Sequence, residues 1–195
     1  MENIYAAILG YLLGSIPFGL VLVKVFRKDD LRQIGSGNIG ATNVLRTGSK
    51  FLAALTLLLD FSKGFFAILI AQGYFDGPAV TFAAGGAVLG HCFPIWLKFR
   101  GGKGVATNAG ITLGLVPQIG LIYIFVWLSI LAVFRISSVA GMSAVLVASA
   151  AAPILGYSEL FPILMAIAIL VIYLHRENIS RIRSGNEPKI GLIKD

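Results

Sequence analysis

Three polar segments hold the side chains of this sequence that could do chemistry. Residues 35–46 read GSGNIGATNVLR, residues 101–104 read GGKG, and residues 175–187 read HRENISRIRSGNE. Each segment combines glycine with cationic side chains, and the first and third add amide and hydroxyl groups. Converging backbone N–H groups, Lys and Arg are the donors that phosphate oxygens accept from. The segments therefore indicate binding of phosphorylated compounds.

The first segment matches the pattern G-x-G-x-x-G at Gly35, Gly37 and Gly40. A dinucleotide site would also need a preceding strand and an acidic residue about 20 positions on. No strand is predicted, and Asp60 lies in an apolar run. We expect donors to phosphate instead, with a polar loop that enters a capped helix as the alternative. The candidate donors are Ser36, Asn38, Thr42, Asn43 and Arg46.

The second segment resembles a nucleotide-binding P-loop only superficially, because Gly104 stands where Ser or Thr would hold magnesium. An apolar run follows directly, so Gly101, Gly102 and Lys103 would lie at a helix N-terminus, which favours anions. His91, upstream in an apolar run, is more typical of a hydrogen-bonded packing residue than of a catalyst.

The third segment continues the last apolar run. A helix through it places His175 and Asn178 on one face. The alternative is a solvated basic tail, and we interpret Arg183, Lys189 and Lys194 as that tail, attracted to anionic lipid.

The composition predicts that a membrane positions these segments. The chain has 195 residues, of which 57% are apolar and only 13% charged, which excludes a disordered chain and an ordinary soluble globule. The net charge of +7 falls between long apolar runs, so membrane topology explains it better than nucleic-acid binding. The single cysteine, Cys92, excludes an internal disulfide and a cysteine-based zinc site.

Seven membrane spans are predicted. A helix from Gly104 to Phe134 would be about 46 Å long against a hydrocarbon core of about 30 Å, so we divide it at Pro117. The other five runs are Ile4–Val23, Phe51–Gln72, Ala79–Leu97, Ile136–Ser158 and Leu160–Leu174.

With seven spans and the N-terminus outside, every Lys and Arg except Lys63 lies on the inner side. This is the positive-inside pattern, and it places all three segments and the C-terminus at the cytoplasmic face. We therefore predict an all-α integral membrane protein with seven transmembrane helices, whose residues 1–195 form a single domain.

Polar residues inside the apolar runs are expected to support the inner site. Asp60 and Lys63 are three residues apart and can pair on one helix face, with a role in transport as the less favoured alternative. Ser138 and Ser143 could donate hydrogen bonds, but close helix packing is the favoured interpretation.

Together, the three segments resemble, in order and across the whole chain, the conserved motifs of bacterial acyl-phosphate:glycerol-3-phosphate acyltransferases. The resemblance implies a seven-span enzyme of the bacterial inner membrane that catalyses the first acylation step of phospholipid biosynthesis. Such an enzyme transfers a fatty acyl group from acyl phosphate to sn-glycerol 3-phosphate and releases phosphate and lysophosphatidic acid. Neither a cofactor nor a metal is expected, and neither nucleic acid nor an obligate protein partner is inferred.

The resemblance also assigns residues. It implies that His175, Lys103 and Asn178 are catalytic. The residues expected to bind substrate phosphate are Ser36, Gly37, Asn38, Thr42, Asn43, Arg46, Gly101, Gly102, Arg181 and Glu187.

The expected mechanism is direct attack of the glycerol hydroxyl on the acyl carbonyl, without an acyl-enzyme. Either His175 or the departing phosphate takes the proton. The competing hypothesis is a membrane transporter of phosphate or organophosphates. A phosphotransferase is disfavoured because the clustered aspartates that its metals would need are missing from the sequence.

Overall fold

The computed structural model describes residues 1–27 and 29–191, and all regular structure within them is helical. The predicted all-α class is thus confirmed for this part of the chain. The α-helices are α1 (Glu2–Gly14), α2 (Phe18–Arg27), α3 (Ala41–Leu45), α4 (Lys50–Tyr74), α5 (Pro78–Cys92), α6 (Val105–Leu115), α7 (Pro117–Phe134), α8 (Ser137–Ile154), α9 (Phe161–Leu174) and α10 (Arg176–Arg183).

The chain forms two compact units, Met1–Leu115 and Val116–Asp195. Their boundary is the break that the sequence predicts, since α6 ends at Leu115 and α7 begins at Pro117. Proline has no N–H to donate and is favoured at the first position of a helix. That one membrane domain comprises both units stays a prediction.

Among the described residues, five segments are long and apolar enough to cross a membrane, and the bent pair Ser158–Leu174 and Arg176–Arg183 would make a sixth. The five are Glu2–Arg27, Lys50–Tyr74, Pro78–Leu97, Pro117–Phe134 and Ser137–Ile154. Helix α6 has 11 residues, so it is about 16 Å long and covers about half of the hydrocarbon core. The expected number of seven spans stays a prediction.

Helices α1 and α5 approach closely through glycines spaced four residues apart. A Cβ atom at any of the four glycines would overlap a backbone carbonyl of the facing helix: Gly10 meets Ala83, Gly14 meets Ala87, Gly86 meets Ala7, and Gly90 meets Tyr11. Small residues at this spacing let membrane helices pack backbone to backbone.

Helix α4 lies at the centre of the first unit, where it contacts α1, α2, α3, α5 and α6. Gly64 of α4 lies against the Thr107 carbonyl, and Gly110 of α6 lies against the Phe61 carbonyl. In the second unit α8 packs on α7 and α9. The buried face of α8 is a stripe of alanines four residues apart: Ala140, Ala144, Ala148 and Ala152.

The contact between α1 and α5 predicts the effect of an added methyl group. We expect Gly10→Ala to destabilise the protein by about 3 kcal/mol, the upper end for overpacking, because backbone atoms rather than flexible side chains must move. Gly73→Ala is the matched control, because no atom lies within 4 Å of its Cβ position. Unfolding in detergent micelles measures both variants. Equal transition midpoints for the two would contradict this account of the packing.

Candidate active site

The first polar segment forms a loop that leads into the short helix α3. Gly35 and Gly37 have φ angles of +56° and +68°, which glycine adopts without strain. A Cβ at Gly35 would lie 2.6 Å from both Asn43 Oδ1 and Arg46 Cδ. Glycine is thus required here both for the backbone angle and for the space that Asn43 and Arg46 occupy.

Asn43 is the hub of this loop. Its buried Nδ2 donates to the carbonyls of Leu31 at 3.1 Å and Ile34 at 2.9 Å. Its Oδ1 accepts from the Ser36 N–H at 3.1 Å, and the Ser36 hydroxyl and Arg46 Nη1 donate to it at 3.3 and 3.4 Å. Both ends of its amide form hydrogen bonds within the loop, so the side chain holds Ser36 and Arg46 in place. Direct contact of Asn43 with phosphate stays a prediction.

The exposed residues of the loop are better placed to meet a ligand. Ser36, Thr42 and Arg46 are exposed, whereas Asn38 accepts from the Gly40 N–H at 2.9 Å just before α3. Asn38 thus closes a turn before α3, whose N-cap residue Gly40 has no side chain to cap the helix. Arg46 presents its guanidinium at the surface.

The nearby carboxylate of Asp30 forms an ion pair with Arg32. Arg32 donates to Asp30 through Nε at 3.0 Å and Nη2 at 2.8 Å; Arg32 is exposed and Asp30 half-buried. The hydrogen bond from the Arg32 side chain, followed by that from its backbone N–H, lowers the pKa of Asp30 to about 2. The pair carries no net charge, so Asp30 adds little repulsion toward an anion.

The glycine-rich loop of the second segment folds back on the end of α5. The Gly101 N–H donates to the Cys92 carbonyl and the Gly102 N–H to the His91 carbonyl, both at 3.0 Å. These two N–H groups are thus bonded to the end of α5, and their expected donation to phosphate stays a prediction. Lys103, which follows them, is half-buried.

Two aromatic side chains fix the turn before this loop to α1. The Tyr11 hydroxyl donates to the Phe93 carbonyl at 2.8 Å and accepts from the Ile95 N–H at 3.0 Å. The Trp96 indole N–H donates to the Ser15 carbonyl at 2.8 Å. Such bonds are invisible in the sequence, because the partners are separated by more than 80 positions.

The predicted pairing of Asp60 with Lys63 is confirmed. Lys63 Nζ lies 2.8 Å from Asp60 Oδ1 and donates to the Ile16 carbonyl at 2.7 Å. His91 Nδ1 lies 3.7 Å from the same Asp60 oxygen. All three side chains are at most 5% exposed, so His91 is packed in the interior as expected. The expected hydrogen bond is not found at ring Nδ1, which has no partner among the described residues.

In the second unit His175 lies at the junction of α9 and α10, where the helix axis bends by 57°. Its ring is buried, with Nδ1 2.7 Å from the Val171 carbonyl. A carbonyl only accepts, so Nδ1 carries the proton of this bond. The lone pair of the neutral ring is then on Nε2, the form that a general base requires.

Glu187 is the hub of the third segment. The Asn178 amide donates to its Oε1 at 2.6 Å, the Ser138 hydroxyl donates to Oε1 at 2.7 Å, and Arg181 Nε donates to Oε2 at 2.7 Å. Burial alone would raise the pKa of Glu187. The three hydrogen bonds and the charge of Arg181 outweigh burial and hold the pKa below its usual value.

One finding at Glu187 differs from the sequence interpretation: Ser138 donates a hydrogen bond to the carboxylate, although packing was favoured for Ser138. The carboxylate accepts from three protein donors, and the expectation that Glu187 binds substrate phosphate stays a prediction. The preference for packing rested on serine being a small residue. Only the return of the chain from α10 to the start of α8 reveals the hydrogen bond.

A second contact holds the end of the described chain. The Ile190 N–H donates to the Arg135 carbonyl at 2.7 Å, and Arg135 Nε donates to the Ile190 carbonyl at 3.1 Å. Of the expected basic tail, Arg183 is exposed at the end of α10 and Lys189 is exposed beyond it, whereas Lys194 lies outside the described residues. Residues 184–191 thus form a strap, fastened through Glu187 and Ile190.

The lowered pKa of Glu187 makes the strap sensitive to acid. Because this pKa is lower in the folded than in the unfolded chain, the carboxylate stabilises the fold above the ordinary glutamate pKa of about 4.3, and this contribution is lost as pH falls through the lowered value. We expect the Asn186 and Ile190 amides, protected at pH 7, to exchange faster below about pH 4, after correction for intrinsic rates.

Glu187→Gln is expected to accelerate this exchange at pH 7 by roughly tenfold or more, the effect of losing a hydrogen bond to a charged group, and to remove the acid response. The matched control is Glu177→Gln, at an exposed position of α10. An acid response that survives in Glu187→Gln would assign the effect to another group.

Comparisons with known proteins agree with one another on the family of this chain. Residues 4–185 match the profile of a family described as glycerol-3-phosphate acyltransferase. A protein of that name from Erythrobacter litoralis is 60% identical over 186 residues, which are 95% of this chain and 94% of the relative. A Bradyrhizobium protein of the same name is 54% identical over 97% of this chain and 96% of its own length.

Solved structures are also similar to this chain. A crystal structure of PlsY, an integral membrane glycerol 3-phosphate acyltransferase in its glycerol 3-phosphate form, has a TM-score of 0.92 and 41% identity, covering 98% of this chain and 96% of that one. The lysophosphatidic acid form has a TM-score of 0.89 and 40% identity with the same coverage.

Proposed function

Since the chain belongs to the glycerol-3-phosphate acyltransferase family, we propose that it is an integral membrane enzyme that acylates glycerol 3-phosphate. The observation that carries this conclusion is the family match over residues 4–185, which includes Arg46, Lys103, His175 and Asn178. Family membership favours acyl transfer over the transport and phosphotransfer alternatives. The acylated product would feed phospholipid synthesis.

We propose acyl phosphate as the donor. Both substrates would then carry phosphate, and the sequence offers cations in all three polar segments. Arg46 supplies an exposed guanidinium beside the Ser36 hydroxyl, since both are held by Asn43. Lys103 supplies an ammonium next to glycines that are themselves fixed to α5. Arginine suits bidentate binding of phosphate, and lysine acts as a point charge.

The proposed reaction is a direct transfer. The glycerol hydroxyl oxygen forms a bond to the acyl carbonyl carbon, and the bond from that carbon to the phosphate oxygen breaks. The hydroxyl proton goes to His175 Nε2 or to the departing phosphate, and the proton on Nδ1, held at the Val171 carbonyl, supports the first route. Because the donor is already activated, positioning and charge stabilisation suffice.

The remaining expected site residues receive positioning roles in this proposal. Asn43 and Asn38 shape the first loop, and Glu187 holds the side chains of Asn178 and Arg181. Gly37, Gly101 and Gly102 provide backbone geometry, and Thr42 is an exposed candidate donor.

A purified-enzyme assay tests the donor and the cations. We expect release of phosphate and formation of lysophosphatidic acid from acyl phosphate that depend on glycerol 3-phosphate. Arg46→Ala and Lys103→Ala should each lower kcat/KM by about 100-fold or more, the effect of removing a charge-assisted phosphate contact. Lys50→Gln and Lys98→Gln are the controls, because both lysines are exposed and close in sequence to the tested residues.

Four outcomes would revise this proposal. Turnover with an acyl thioester but not with acyl phosphate would replace the donor. Product formation without glycerol 3-phosphate would exclude the acceptor. Near-normal turnover of His175→Ala would assign the proton to the departing phosphate, and a trapped acyl-enzyme would overturn direct transfer.

We further propose that the enzyme lies in the bacterial inner membrane, with its N-terminus outside and the three polar segments at the cytoplasmic face. Single cysteines at Lys50 and Ser184, in a Cys92→Ala background, should react with an impermeant thiol reagent only after the cells are opened. A cysteine at Glu159 should react in intact cells. Labelling of positions 50 and 184 from opposite sides would contradict the seven-span topology.

A further inference from the structure

A buried array of Asp60, Lys63 and His91 lies beneath the glycine-rich loop of the first unit. We propose that these three residues position residues 101–104, the loop that carries Lys103. The inference rests on the proposed function only in that Lys103 is taken to bind a substrate phosphate. The array itself is defined by contacts between α4, α5 and the break between α1 and α2.

Burying the charged side chains of the array costs free energy. Taking an ammonium and a carboxylate out of water costs several kcal/mol for each ion, and a well-packed apolar pair in their place is often equally stable or more stable. Asp60 and Lys63 are at most 5% exposed. Stability alone therefore does not account for the pair, and its contacts indicate which parts of the fold it holds in place.

One end of the array is anchored at the helix break. Lys63 Nζ donates to the Ile16 carbonyl, which lies between α1 and α2. The neighbouring Ser15 carbonyl accepts from the Trp96 indole, five positions before the glycine-rich loop. The same short break thus holds both the ammonium of the array and the turn that leads into the loop.

The other end of the array is in direct contact with the loop through His91. The His91 carbonyl accepts from the Gly102 N–H at 3.0 Å. The imidazole lies so close to Gly102 that a Cβ there would overlap ring Nε2. On its other side, ring Nδ1 faces Asp60 Oδ1 at 3.7 Å and has no hydrogen-bond partner among the described residues. The ring therefore spans the distance between the ion pair and the backbone of Gly102.

These contacts make a continuous connection from Ile16 through Lys63, Asp60 and His91 to Gly102, the neighbour of Lys103. A shift of the imidazole would move Gly102 because no side chain separates them. The array would then act on catalysis through Lys103, and its three members are positioning residues rather than catalytic ones.

Amide exchange and kinetics on the full-length protein in lipid nanodiscs test the proposal. The variants are His91→Ala, which removes the ring, His91→Gln, which keeps a hydrogen-bonding side chain, and the pair Asp60→Asn with Lys63→Met, which removes both charges together. The control is Thr56→Val, because Thr56 is buried in α4 and its hydroxyl donates only within that helix, to the Leu52 carbonyl.

We expect His91→Ala and the paired variant to accelerate exchange of the Gly101 and Gly102 amides by about tenfold or more, because the loop opens locally without global unfolding. The KM for one of the two phosphorylated substrates should rise about tenfold with a smaller change in kcat, since the loop binds a phosphate present in both ground and transition states. His91→Gln should recover part of both effects, and Thr56→Val should match the parent.

Exchange and KM within twofold of the parent in either His91→Ala or the paired variant would overturn the proposal. So would an equal rise in exchange throughout α4 and α5, which would show general destabilisation. If His91→Ala does not fold, His91→Gln and the paired variant carry the test. A parent that binds no acyl phosphate would refute the proposed donor, whereas the exchange measurement would still decide whether the array holds the loop.

Discussion

The first unit is organised around one buried ammonium. A membrane interior offers no water to solvate Lys63, so its donors must be satisfied within the protein. Asp60 supplies a carboxylate one helical turn away, and the Ile16 carbonyl is available because the helix is interrupted at Pro17. The break between α1 and α2 therefore supplies an acceptor for Lys63, and this hydrogen bond fixes where α4 lies against the N-terminal helices.

The first and third polar segments each contain one residue that holds several neighbours by hydrogen bonds, with an arginine beside it. Asn43 in the first segment and Glu187 in the third each accept hydrogen bonds from several protein donors, and Asn43 also donates to two backbone carbonyls. Arg46 is exposed at the rim of the first hub, and Arg181 is half-buried beside the second. The donors to Glu187 come from two helices, so losing it would release Asn178, Arg181 and Ser138 together.

The sequence predicts the helical class, the break at Pro117 and the pairing of Asp60 with Lys63, because each follows from local rules. Proline stops a helix, and residues three apart share a helix face. The sequence does not show whether a polar residue of these segments binds phosphate or positions a residue that does. Asn43 and Glu187 are candidates in the sequence, and their hydrogen bonds with distant backbone carbonyls and with Ser138, which only the fold reveals, support positioning roles.

The electrostatics of the third segment follow from this distinction. A carboxylate facing a phosphate would repel it, so a glutamate in contact with the substrate phosphate would weaken binding. Glu187 avoids this repulsion because its side chain is only 6% exposed and its charge is matched by Arg181 at 2.7 Å. The pair is neutral as a whole, so anionic substrates must be attracted by cations that have no carboxylate partner. Arg46 is such a cation, because its protein acceptor is the neutral Asn43 amide. Glu187 thus orients its neighbours, and the positive field that attracts a phosphate substrate comes from cations outside this pair.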